Sequence, residues 1–350
     1  MLNFQRGWQS YHLFYHDNLD TPLLKCVEPL VRTLHQLGWL KKFFFVRYQL
    51  GGPHLRLRIL PTPNCEEQTR EMIRREVEKF LKHYPSLNTK NETQIRRANK
   101  VILEHDSHED GDEVYPNNSL LEAPFVPETE RYGGARLLPH SLDFFVVSTV
   151  AALLSLKQNS ARGRTTDMGS TARYQIRLAI GFSNSFEELD ELLSYGMRWG
   201  SLFNPNFELL TRKLYEQQKP KINRLLVDEL AIASTRASIS SAITTAGLWT
   251  NAAASLAVSL AETDDTSRRH ILESHLHMSA NRFGLNNADE FYLSGLLYYA
   301  LKELADTDRI EIDRYLSTRP RSTDGLATSL DDVIGLLAAE SLPATSSHCA

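Results

Sequence analysis

The chain has 350 residues, 42% of them hydrophobic and 23% charged, a balance ordinary for a soluble globular protein of one large domain or two of usual size. A net charge of −4 excludes the globally basic surface that binds nucleic acid in bulk, so any anion site must be local. Cys26, Cys65 and Cys349 have neither metal-ligand spacing nor the even count of a disulfide framework, residues 1–8 lack a signal-type apolar run, and no segment reaches the roughly 18 apolar residues of a membrane span, all of which fits a reducing cytoplasm.

Residues 8–16 (WQSYHLFYH) have the aromatic content of a strand. Residues 18–38 follow as a helix with Leu23, Leu24, Val27, Leu30, Val31, Leu34 and Leu37 on one stripe. Two strands come next, FFFVRY at 43–48 and PHLRLR at 53–58, so the opening module reads β-α-β-β. With Gly51-Gly52 as the turn, side-chain alternation sets Arg47 opposite Arg56, on the face that also carries Arg58 and His54. A longer loop using residues 49–53 turns Arg47 elsewhere. Like charges directly opposite one another destabilise a sheet, so this face points to an anion such as a carboxylate, a phosphate or an acidic segment. The alternative is a solvated hairpin face.

Residues 65–83 and 92–105 read as amphipathic helices, and 106–120 (DSHEDGDEVYPNNSL) as an exposed acidic loop. From about 142 the pattern is helical, near 142–157, 171–181, 185–199, 206–232, 235–262, 266–281 and 287–305. Ser185 with Glu188 and Asn287 with Glu290 have capping-box spacing. The expected fold is α+β, a strand-rich front with antiparallel hairpins packed on a mainly helical rear portion. It forms one domain over 1–335, with the front at about 1–140 and the helices at about 141–335. Residues 336–350 read as a disordered tail.

Two further clusters carry chemistry. In the first, Pro127-Glu128-Thr129-Glu130-Arg131-Tyr132-Gly133-Gly134, glycines let the backbone approach a ligand while Arg131 and Tyr132 point into a site. Its bland reading is a structural corner. In the second, His277-Met278-Ser279-Ala280-Asn281-Arg282-Phe283-Gly284, His277 and Asn281 share a helix face, Arg282 lies beside Asn281, and Gly284 suits the position just past the helix end. A helical histidine is otherwise most often structural. His275 and His277, two apart, face different directions and make a poor metal site.

Together the FxRYxxxxPHxRxR block at 45–58, the PExERYGG block at 127–134 and the HMxxNRxG block at 277–284 resemble the lantibiotic dehydratase C-terminal (glutamate-elimination) domain family of thiopeptide-type bacteriocin biosynthesis proteins, here as a separate chain. The resemblance covers roughly residues 8–305. The chain departs from the family's pattern after ERYGG, where a valine precedes Ser148 in place of an aspartate, and in a longer interval between Arg58 and Glu130.

The resemblance implies β-elimination of glutamate from glutamylated Ser or Thr in a ribosomally made precursor peptide, giving dehydroalanine or dehydrobutyrine. It assigns His277, Arg58 and Arg131 to catalysis, with His277 as general acid or base. Arg47, His54, Arg56, Tyr132, Asn281 and Arg282 are assigned to substrate binding. The expected partners are the glutamylated peptide and a separate glutamylating dehydratase subunit, without nucleic acid or membrane, and a homodimer is compatible. Neither metal nor organic cofactor is expected, because an acyl-ester carboxylate already leaves readily. Two alternatives stand beside this reading: a pyridine synthase that joins two dehydroalanines by formal cycloaddition with leader release, and a non-catalytic peptide-binding subunit.

Overall fold

A computed structural model describes residues 7–88, 92–103, 113–161, 168–236, 245–318 and 329–339. The fold is α+β, with its antiparallel sheet at the N-terminal end. The chain divides into two compact units, a sheet unit of residues 1–127 with 329–350 and a helical unit of residues 128–328.

The sheet unit is built on β1 (Gln9–Phe14), β2 (Leu40–Tyr48), β3 (His54–Pro61) and β4 (Ser119–Glu122), in the order β2-β3-β1-β4. Alternation divides the sheet into two faces. Tyr11, Leu13, Phe43, Phe45, Leu55, Leu57 and Ile59 lie on one face and are buried. Helices Glu28–Gln36 and Glu66–His83 add Leu30, Val31, Leu34, Ile73, Val77 and Phe80 to the unit's core. The other face carries Ser10, His12 and Phe14 of β1, His54, Arg56 and Arg58 of β3, and Phe44, Val46 and Tyr48 of β2.

The hairpin register corrects the expectation of a two-glycine turn. Tyr48 pairs with His54, Arg47 with Leu55, Val46 with Arg56 and Phe44 with Arg58, so the loop runs over residues 49–53. Gly52 donates to the Gln49 carbonyl at 3.0 Å, closing the turn one residue earlier than the glycine pair alone suggests. Gly51 and Gly52 both take positive φ (82° and 115°), and a Cβ on Gly52 would meet His16 Nε2 at 2.4 Å. Arg47 therefore lies on the face opposite Arg56 and Arg58.

The helix expected at 18–38 comprises Asp20–Pro22, a π-helical turn Leu23–Val27, and Glu28–Gln36. The loop expected at 106–120 is corrected at its end, where Ser119 begins β4. This four-residue edge strand forms by pairing with β1 rather than through its own pattern. Of the disordered tail expected at 336–350, residues 336–339 are corrected, since they complete helix Leu330–Ala339; residues 106–112 and 340–350 lie outside the described residues.

In the helical unit the expected segments appear as Gly134–Ala161, Met168–Phe182, Phe186–Leu193, Tyr195–Phe203, Phe207–Arg236, Thr245–Ser259, Asp265–Phe283 and Asn287–Lys302. The single helix expected at 185–199 is two, separated at Ser194. Helices Asp306–Thr318 and Leu330–Ala339 were not anticipated; the second belongs to the sheet unit. The expectation that no segment reaches membrane-span length and apolarity is corrected by Gly134–Ala161. Its most apolar stretch is 83% buried within the protein, as a core helix requires.

Ser185 caps its helix, its hydroxyl accepting from the Glu188 amide at 3.1 Å. The expected Asn287–Glu290 box is not formed. The cap is Asn286, one residue earlier, whose side chain accepts from the Asp289 amide at 2.9 Å. Gly196 lets helix Tyr195–Phe203 close on Asn287–Lys302, since a Cβ there would stand 2.5 Å from Ser294 Cβ. Ser294 Oγ donates to the Leu193 carbonyl at 2.7 Å and pins the crossing.

Candidate functional site

The sheet unit gathers two guanidiniums, two imidazoles and aromatic rings on one face. Arg56 stacks on Tyr48, with Cζ 3.4 Å from the ring centroid, and Arg58 lies 5.7 Å from the Phe125 centroid. Arg58 is buried, and its Nη2 reaches His12 Nε2 at 3.3 Å. His12 is opposite Arg56 across the β1–β3 ladder and stacks on His54 with centroids 5.0 Å apart. His54 Nδ1 donates to the Gly52 carbonyl at 2.8 Å.

Both imidazoles are held neutral. Burial, followed by the neighbouring Arg58, pushes His12 down to about 2. Burial pushes His54 down to about 3, against the opposing effect of its bond to Gly52, while Arg56 and Arg58 add to the depression. The face thus concentrates positive charge in two arginines flanked by neutral hydrogen-bonding rings, an arrangement suited to a planar carboxylate. Arg47 is not part of it. Arg47 pairs with Asp20 at 2.7 Å, and each side chain is 12% exposed.

These rings make stability acid-sensitive. Below the ordinary histidine value of 6.5, the unfolded chain binds protons at His12, at His54 and at the buried His275, while the folded protein does not. Stability therefore falls as pH drops from 6.5, by about 1.4 kcal/mol per pH unit for each fully buried ring. Urea midpoints are expected to be lower at pH 5 than at pH 7, and equal midpoints would contradict the burial of these rings.

The second group lies in the helical unit. The turn Glu130–Tyr132 ends at Gly133, in the left-handed region at φ 80°. Arg131 donates to Glu128 Oε2 at 2.9 Å and to Ser274 Oγ at 3.2 Å, tying the turn to helix Asp265–Phe283. Its side chain is 40% exposed. Tyr132 points inward, buried against His275 and Phe145. Arg282 is also buried; it lies 4.6 Å over the Phe145 ring and donates to the Met278 carbonyl at 3.1 Å. Burial lowers it to about 10. Asn281 is half-buried, one turn beyond His277.

His275 and His277 differ as their spacing suggested. His275 is fully buried, its Nε2 3.1 Å from Ser141 Oγ. His277 keeps 30% of its side chain exposed, and its Nδ1 lies 2.8 Å from Glu290 Oε2. Glu290 is buried and accepts from the Tyr195 hydroxyl at 2.8 Å on its other oxygen. The Glu290 carboxylate raises the His277 pKa against the opposing effect of burial.

Sequence reasoning missed His12, Tyr48, Phe125, Tyr195 and Glu290. Alternation places Tyr48 on the arginine face once the register is known. The other four depend on contacts between distant segments. Among the described residues no three His, Cys, Asp or Glu side chains converge as metal ligands would.

Solved structures share this fold, three of them as follows. The pyridine synthase TbtD from thiomuracin biosynthesis is 17% identical, with a TM-score of 0.68 over 84% of this chain and 97% of that one. The tRNA-dependent lantibiotic dehydratase MibB from Microbispora sp. 107891 is 18% identical, with a TM-score of 0.54 over 87% of this chain and 28% of that one. TsrL is 17% identical, with a TM-score of 0.52 over 90% and 99%. No curated protein matches the chain. The family model described as lantibiotic biosynthesis dehydratase C-term matches residues 8–301, most of the chain, and the protein belongs to that family.

Proposed function

We propose that this protein eliminates glutamate from glutamylated Ser or Thr side chains of a ribosomally made precursor peptide. Family membership supports a role in maturing such peptides. The observation that carries the finer reading is the Arg56–Arg58 face, where two guanidiniums lie among neutral imidazoles and aromatic rings. A glutamyl ester presents a free carboxylate to such a face and releases a second one as it leaves.

In the reaction, His277 takes the Cα proton, the electron pair of that C–H bond forms the Cα=Cβ double bond, and the Cβ–O bond breaks. Glutamate departs as the free amino acid. Arg56, Arg58 and Arg131 stabilise the anionic groups, and Asn281 contributes to substrate binding. Tyr132, His54 and Arg282, no more than 4% exposed, support this machinery from within their units, while Arg47 is structural. The partners are the glutamylated peptide and a separate glutamylating subunit.

The second reading, a formal cycloaddition of two dehydroalanines with leader release, is favoured by the likeness to TbtD along nearly all of that chain. Mass spectrometry of a glutamylated precursor incubated with the protein separates them. Loss of glutamic acid with a dehydrated peptide is the expected result. Unchanged glutamylated peptide would overturn elimination, and a macrocycle with free leader from a dehydrated peptide would establish the second reading.

A further inference from the structure

His277 is held by a buried arrangement that no sequence motif announces. Glu290 comes from helix Asn287–Lys302, thirteen residues after His277, and Tyr195 from the start of helix Tyr195–Phe203. Each carboxylate oxygen has one partner, Oε1 the Tyr195 hydroxyl and Oε2 His277 Nδ1, both at 2.8 Å. The site's location is itself fixed by packing. Gly196 admits the close approach of the two helices, and its amide donates to Ser294 Oγ at 3.3 Å. Beside Glu290 is a cavity of only about 10 Å³, lined by Gln175, Tyr195, Glu290 and Ser294 among others. It has room for one water at most, and Glu290 itself is 2% exposed.

A buried carboxylate with two donors is costly to build and more costly to leave half-paired. Its cap role is already filled by Asn286, so capping does not account for it. We propose that Glu290, anchored by Tyr195, is the positioning residue of the reaction: it takes the Nδ1 proton of His277 in a hydrogen bond and thereby presents the unprotonated Nε2 to the substrate's Cα–H. The inference rests on the proposed role of His277 as base. Glu290 contacts no substrate and acts through the ring it holds.

Other charges face His277 too. Glu128 favours its protonated form and Arg131 disfavours it, so from the turn side the two oppose one another, and Glu290 is the largest influence. Replacing Glu290 by the isosteric glutamine removes charge while keeping shape. In Glu290→Gln the His277 pKa is expected to fall, moving the acid limb of the kcat/KM profile to lower pH. The plateau should drop by about 10²-fold, the lower end of what a positioned proton-transfer group supplies. Glu290→Asp restores the charge and is expected to recover part of the rate and the position of the limb. A merely packing role predicts the reverse, with glutamine the milder change.

The direct test is nitrogen-15 NMR of His277, whose tautomer is read in the ligand-free wild-type protein without any variant or turnover and whose titration is then compared with that in Glu290→Gln. In the neutral ring the proton is expected on Nδ1. A proton on Nε2, or a His277 titration unchanged in Glu290→Gln, would overturn the positioning role. If the NMR results hold but the wild-type protein releases no glutamate, the proposed reaction fails, while the orientation of the His277 ring by Glu290 stands.

Discussion

Alanine in place of His277 is expected to slow glutamate release by about 10²–10⁴-fold, the range typical of a lost general base. A group that acts only on the transferred proton should lower kcat and kcat/KM together, leaving substrate affinity unchanged. Arg58→Ala should behave differently, raising KM as well, because a guanidinium that holds the glutamyl carboxylate works in the ground state too. The His277 side chain is 30% exposed, so the space it leaves is open to added imidazole, and partial rescue by imidazole is the corollary. The variant also leaves Glu290 with the Tyr195 hydroxyl alone, a half-paired buried group costing about 1–3 kcal/mol. Rates must therefore be referred to folded protein, with unfolding midpoints measured on the same samples. Wild-type single-turnover rates in His277→Ala would remove this residue from the reaction.

The parts of this molecule legible in sequence were those set by short-range periodicity. Period-two alternation placed His54, Arg56 and Arg58 on one strand face, and β3 bears this out. Apolar stripes located the main helices, and Gly284 ends its helix in the left-handed region as its position suggested. The register of the hairpin was not legible, because it depends on which amide the Gln49 carbonyl accepts from. His12 was hidden for a different reason. Its contact with Arg58 crosses 46 residues, and the strand that carries it showed only an aromatic pattern.

Glu290 shows local spacing misleading by a single residue. Asn287 and Glu290 have capping-box spacing, yet Asn286 takes the cap and the glutamate serves a histidine on the preceding helix. Helix Asp306–Thr318 is not legible in the sequence because it buries only Ile312 and Leu316, too few positions for a stripe. The split at Ser194 followed from packing, since the second helix starts where Gly196 must approach Ser294.

Arg47→Ala is expected to destabilise the sheet unit by about 3–5 kcal/mol, the cost of stranding one member of a buried ion pair. Asp20 and Arg47 are each only 12% exposed and lie 2.7 Å apart, so the carboxylate left behind has little access to solvent. Burial lowers the Arg47 pKa while Asp20 raises it, so the charged guanidinium depends on this partner. Removing both charges with Arg47→Met and Asp20→Leu should cost less than the single change, because no unpaired charge remains. The loss should be read locally, as faster hydrogen exchange of β2 and β3 amides, since the helical unit carries its own core. Per folded molecule, glutamate release by Arg47→Ala should match wild type, in contrast to Arg56→Ala and Arg58→Ala. The register supplies the reason: Arg47 pairs with Leu55 and points to the opposite face. A rate defect in stable Arg47→Ala protein would instead return this arginine to the anion site, and would require the face that carries Arg56 and Arg58 to act with the one beneath it.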